Sequence, residues 1–98
     1  MSEIKLTVRT FRMDKDKAAA LKPLEEAAEV FGAWQEYNTW LELGVDDKYS
    51  EDERIILADE IADCIQACVN LADRYGIDLQ AAMVRCEERN RRRGRYDD

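Results

Sequence analysis

Three glycines, Gly44, Gly76 and Gly94, punctuate a chain that holds only four glycines and one proline. The segments between them carry apolar residues at helical spacing, which restricts the chain to a small all-α arrangement. The first long helix is expected from about Pro23 to Leu43, with Gly44 as its stop. Val45–Tyr49 then read as a loop. Ser50-Glu51-Asp52-Glu53 has the form of a capping box, so a second long helix should run from about Glu51 to Tyr75 and end at Gly76. Asp78 is placed to cap a third helix over about Leu79–Arg92, with Gly94 beyond it. Upstream, Asp14 is expected to cap a short helix over Lys15–Leu21 that Pro23 interrupts.

The helices have two-sided character. In the first, Leu24, Ala28, Phe31 and Gln35 trace one stripe, with Trp34 beside it; Lys22, Glu26, Glu29, Ala33 and Glu36 trace the adjacent polar stripe. The second places Leu57, Ile61, Cys64, Ile65, Cys68, Leu71 and Ala72 on a broad apolar face, with Glu60, Asp63, Ala67 and Asn70 alongside. Ala82, Met83 and Cys86 supply the apolar side of the third. Faces this apolar do not close a core in one short chain. A second copy would complete a four-helix arrangement, with Gly32 and Ala33 permitting close approach. Trp34, Tyr37 and Trp40 form an aromatic cluster that serves either packing or the stacking of a nucleobase.

Ile4-Lys5-Leu6-Thr7-Val8-Arg9 alternates apolar and polar residues and reads as a short strand. No second strand candidate follows, so it either pairs with another copy of itself or remains an extended arm. The expected organisation is an extended arm over 1–13, a helical domain over 14–94 and a tail over 95–98.

With 98 residues and a net charge of −7, the chain is one domain and no general nucleic-acid binder. Arg89, Arg91, Arg92, Arg93 and Arg95 crowd the C-terminus, either to reach a small polyanion or to solvate a helix end. The sequence shows no membrane-length apolar run, and its first residues do not resemble a signal peptide, so a cytoplasmic protein with no membrane partner is expected. Three cysteines fit reduced thiols, and Cys64 and Cys68 read as small buried residues rather than metal ligands.

Two acidic segments remain: Glu25-Glu26-Ala27-Ala28-Glu29 and Asp59-Glu60-Ile61-Ala62-Asp63. Glu26 with Glu29, and Glu60 with Asp63, lie three apart and so share a helix face, where like charges repel. Solvated surface charge is the plainer account. Both pairs, however, border apolar stripes, and convergence of four carboxylates on divalent cations would explain them together. The sequence contains no histidine, which excludes ferritin-like di-iron sites and the usual catalytic zinc sites; an all-oxygen set suits Mg²⁺, with Mn²⁺ as substitute.

An EExxE motif (Glu25, Glu26, Glu29) followed on a later helix by ExxD (Glu60, Asp63) resembles the MazG-like group of the all-α NTP pyrophosphatase superfamily, over about Lys22 to Gly94. The resemblance implies a helical bundle completed by dimerisation, as a homodimer or a dimer of dimers. It implies hydrolysis of a nucleoside triphosphate to the monophosphate and pyrophosphate, in nucleotide-pool clean-up. Glu26, Glu29, Glu60 and Asp63 would be metal ligands, and Glu25 would complete the catalytic set as an outer partner or base. Asn90 and Arg93 match an Asn and a basic residue on the family's last helix and, with Lys22 and Trp34, are the expected substrate contacts. Cys86 stands where similar proteins carry a lysine, leaving Arg85 or Arg89 as substitutes. The Glu29–Glu60 interval is also long for the family. The alternative is a non-catalytic helical module that binds nucleotide or protein.

Overall fold

Asp16, not Asp14, begins the first helix: its carboxylate accepts from the amide of Ala19 at 2.8 Å. The computed structural model describes residues 2–44 and 47–96, with the side chain of Asp47 excepted. Helix α1 runs Lys17–Leu43, α2 Asp47–Arg74 and α3 Leu79–Arg92. The expected break at Pro23 is absent, and α1 passes through it. A proline there removes one backbone hydrogen bond, at a cost of about 3 kcal/mol. Packing offsets this, because Ala19 and Pro23 both turn inward toward α2.

Gly44 closes α1 with φ 62°, its amide bonding the Leu41 carbonyl. Val45 and Asp46, the first residues of the expected loop, lie outside the described residues. The capping box at Ser50–Glu53 is not used as a start, since α2 begins at Asp47, about one turn earlier. Tyr49 stacks on Trp40 at 5.4 Å, and that contact with α1 holds the extra turn helical. At the other end Gly76, at φ 64°, lets Ile77 bond the Ala72 carbonyl while its own amide bonds Asp73, a Schellman closure. Asp78 caps α3 by accepting from Ala81 at 3.0 Å.

α1 and α2 pack along each other with a three-and-four spacing on both. Ala19, Pro23, Glu26, Val30, Ala33, Tyr37 and Trp40 are the buried or half-buried line of α1. Glu53, Leu57, Glu60, Cys64, Ala67, Leu71 and Arg74 form its counterpart on α2. This is the spacing of a coiled-coil seam. The contact is antiparallel: the Cys64 thiol lies 4.0 Å from the Pro23 carbonyl, and Glu60 meets Glu26 one turn further along. α3 packs lightly on α2 and, among the described residues, does not contact α1.

On α1 the seam therefore runs through the stripe read as polar, at Glu26 and Ala33, whereas on α2 it alternates between Leu57, Cys64 and Leu71 of the face read as apolar and Glu60 and Ala67 of the stripe beside it. The α1 stripe read as apolar faces out, with Leu24 67% exposed, Phe31 58% and Trp34 46%. Ile61 and Cys68 are likewise exposed, so Cys68 is no buried packing residue in the single chain. The surface of 7957 Å² compares with about 5,800 Å² expected of a folded monomer of this mass. The radius of gyration, 16.5 Å, exceeds the roughly 13 Å of a compact chain this long.

Residues 2–14 contain no helix, strand, turn or bend. The strand expected over Ile4–Arg9 does not form, because a ladder needs a second strand and the described residues offer none. The segment instead runs along α2. Phe11 donates its amide to Asn70 Oδ1 at 3.1 Å, Gln66 donates to the Arg9 carbonyl at 3.0 Å, and Arg74 donates to the Met13 carbonyl. Gln66 also donates to Asn70 Oδ1 at 2.9 Å, and Asn70 is only 1% exposed.

Candidate metal centre

The seam positions put Glu26 and Glu60 opposite each other in the α1–α2 contact, both half-buried. Asp63, one turn past Glu60 on α2, joins them from an exposed position. One oxygen from each of Glu26, Glu60 and Asp63 lies within 4.8 Å of the others. Glu29, one turn past Glu26, stands close enough to raise the carboxyls of both glutamates but is not one of the three whose oxygens meet. Of the four carboxylates that the spacing singled out, the structure brings three together and sets the fourth, Glu29, beside them.

The electrostatics follow from that crowding. Burial, then the neighbouring Glu29, pushes the Glu26 carboxyl above its ordinary range, and Asp63 adds to this while Lys22 opposes it. Glu60 is raised first by its hydrogen bond with Glu29, then by burial and by the charges of Glu29, Asp63 and Glu26. Two carboxylates in contact hold a proton between them more tightly than either alone. Oε2 of Glu60 is buried and has no hydrogen-bond partner in the protein. An acceptor left this way calls for an occupant. A divalent cation fits: the donors are all oxygen, they come from two helices held in register, and their repulsion is of the kind such an ion relieves.

The remaining site residues are spread more widely. Glu25 points outward and pairs with Lys22 at 3.5 Å; it is not among the three carboxylates that meet. Lys22 also stands 4.0 Å from Glu26, at the edge of the cluster. Trp34 stacks on Phe31 at 5.8 Å, and both line an open apolar groove of about 470 Å³ with Ala27, Val30, Leu57 and Ile61. Ala27 and Ile61 are the chain neighbours of Glu26 and Glu60, but no carboxylate lines this groove. The aromatic cluster is divided, for Trp40 stacks on Tyr49 instead. Asn90 and Arg93 belong to α3, which does not reach α1. Asn90 faces Cys86 at 3.7 Å and accepts from Arg95 at 3.1 Å, while Arg93 is the exposed C-cap.

Sequence reasoning missed Gln66 and Asn70 as the residues that hold the N-terminal segment. Their signal was a polar row at i, i+4 and i+8, completed by Arg74, on a helix otherwise apolar there. Among the described residues, no helix is long and apolar enough to cross a membrane. Compared with known proteins, the chain matches no family model, no curated protein and no solved structure.

Proposed function

We propose that the protein is a nucleoside triphosphate pyrophosphohydrolase of the MazG-like kind, dependent on Mg²⁺ or Mn²⁺ and working as a homo-oligomer. The observation that carries this reading is the meeting of Glu26, Glu60 and Asp63 within 4.8 Å across two helices. When bound, a divalent cation supplies the positive charge that admits a polyphosphate and lowers the pKa of a water molecule beside it. The chain's own residues do the rest. Glu26, Glu60 and Asp63 offer ligand oxygens, and Glu29 beside them is available as a fourth. Lys22 adds a cation at the rim, and the Phe31–Trp34 groove offers a flat apolar wall suited to a base.

Oligomerisation is part of the proposal. The excess over a compact monomer is about 2,200 Å² per chain, or roughly 4,000 Å² for a pair, the scale of obligate interfaces. A partner would also explain why α3, with Asn90 and Arg93, stands apart from the carboxylates of its own chain.

The test is a panel of canonical and modified dNTPs and NTPs with Mg²⁺, assayed for pyrophosphate. Release of pyrophosphate and the monophosphate supports the reading. The open apolar groove favours one rival, a binding module without turnover. Nucleotide that raises the melting temperature while no substrate releases pyrophosphate would establish that rival instead.

A further inference from the structure

The extended N-terminal segment is bound to α2 by one edge only. The backbone groups that α2 holds belong to residues 9, 11 and 13: the Arg9 carbonyl, the Phe11 amide and the Met13 carbonyl. In extended chain, groups of alternate residues point to opposite edges. The odd edge therefore faces α2, and the even edge, at residues 4, 6 and 8, faces away. Among the described residues, no backbone group of residues 3–8 has a hydrogen-bond partner. Ile4 and Leu6 are 76% and 62% exposed. A groove of about 600 Å³ separates Ser2–Ile4 from Met83, Glu87 and Asn90 of α3, so the chain's own helix does not seal this edge.

We infer that this edge is an interaction surface for the same segment of a second copy, paired antiparallel about a two-fold axis through Leu6. The sequence selects that register. With Leu6 opposite Leu6 of the copy, Ile4 faces Val8, Lys5 faces Thr7, and Glu3 faces Arg9, so two opposite-charge pairs form by symmetry. Centring on Lys5 sets lysine against lysine. Centring on Thr7 sets Lys5 against Arg9. A shift by a single residue sets Leu6 against Lys5 or Thr7, mixing the faces. Only the Leu6 register joins like with like and avoids repulsion. It also uses the groups that are free: residues 4, 6 and 8 exchange hydrogen bonds with 8, 6 and 4 of the copy. An isolated two-stranded ribbon is marginal in water. Here each strand is already anchored to its own α2, so part of its ordering cost is met before pairing.

This inference is independent of the carboxylate site, since none of its residues touches the cluster. The full chain carrying Leu6→Cys is oxidised mildly and the links are mapped by mass spectrometry of peptides. A hydrogen-bonded antiparallel pair holds the two Cα atoms about 5.5 Å apart, within disulfide reach. Leu6→Cys should give, as the main product, the symmetric disulfide that joins the introduced thiols of the two copies. Ile4→Cys should not link to itself, because the two positions are about 14 Å apart. Adding Glu3→Arg to Leu6→Cys should lower the yield roughly two- to thirty-fold, the worth of two cross-strand charge pairs. Adding Arg9→Glu as well should restore it. All four positions are exposed, and circular dichroism checks that each variant keeps its helices. Leu6→Cys that stays unlinked, Ile4→Cys that links as readily, or a double reversal that restores nothing would overturn the register.

Discussion

The α1–α2 hairpin has two faces that invert the usual order. Its inner seam carries Glu26 and Glu60 at mid-length, while its outer face carries Leu24, Phe31, Trp34 and Ile61 in the open. A chain optimised for its own stability would exchange them. Carboxylates in a helix contact cost desolvation and repulsion, and exposed aromatic rings forgo burial worth about 1.5–3 kcal/mol each. Both features are what the proposed metal site and the proposed pairing of copies would account for.

The comparison breaks first at the carboxylates. Asp63→Asn should reduce pyrophosphate release roughly 100-fold or more, because loss of even an outer partner of a metal ligand costs about 10–100-fold. The same variant should lose most of the Mg²⁺-induced rise in melting temperature. Unchanged turnover and metal response would return these residues to ordinary surface charge.

The outer face is tested next. Phe31→Ala with Trp34→Ala should weaken self-association by roughly 30-fold or more, the scale of an aromatic hot spot. Sedimentation over a concentration series reads this directly. A parent protein that sediments as a monomer throughout would end the comparison.

The seam also has a pH signature. Glu26 and Glu60 have carboxyls raised above the ordinary 4.5 in the folded chain. The folded state therefore binds protons more tightly than the unfolded one. Its advantage is full below the ordinary value and is lost as the pH rises through the raised values. In EDTA the melting temperature should accordingly fall as the pH is raised from about 4.5 toward neutrality. Glu60→Gln should flatten that fall, and saturating Mg²⁺ should reverse it. A wild-type profile identical to that of Glu60→Gln would show that the crowding has no energetic weight.

The smallest effect belongs to Gly32. A Cβ there meets nothing within 4 Å in the single chain. Gly32→Ala should stabilise α1 by about 0.5–1 kcal/mol. Chemical denaturation at low protein concentration measures it. A loss that grows with concentration would place Gly32 in the contact between copies.

Local rules were legible in the sequence wherever backbone chemistry decided the outcome. Gly44, Gly76, Gly94 and Asp78 ended or began helices where such residues do. The rules failed where packing outweighed them. Pro23 sits inside α1 because the turn before it packs on α2, and Ser50 gave up its capping role because Tyr49 stacks on Trp40. The carboxylate spacing was readable because two i, i+3 pairs repeat on two helices. The seam was legible only in part: Leu57, Cys64 and Leu71 lie on the α2 face read as apolar, but polarity marked Glu26 and Glu60 as outward-facing, and only the pairing of α1 with α2 reveals that they point in. Asn70 is buried instead beneath the N-terminal segment. The roles of Asn90 and Arg93 were carried by the family pattern alone, and the position of α3 gives them no place at the site of their own chain.

Gln66, Asn70 and Arg74 grip backbone atoms, not side chains, of the segment beside them. A helix here does the work of a strand edge, and the two periodicities run as a vernier. Eight residues of helix advance about 12 Å, while four of extended chain advance about 13.4 Å. Three rungs absorb that offset through the reach of the arginine. A fourth would be displaced by about 2 Å, beyond hydrogen-bond tolerance. The grip is therefore self-limiting in length and indifferent to most side chains at positions 9 to 13. Substitutions there should leave the segment in place, whereas inserting one residue between Arg9 and Phe11 should swap its edges and release it.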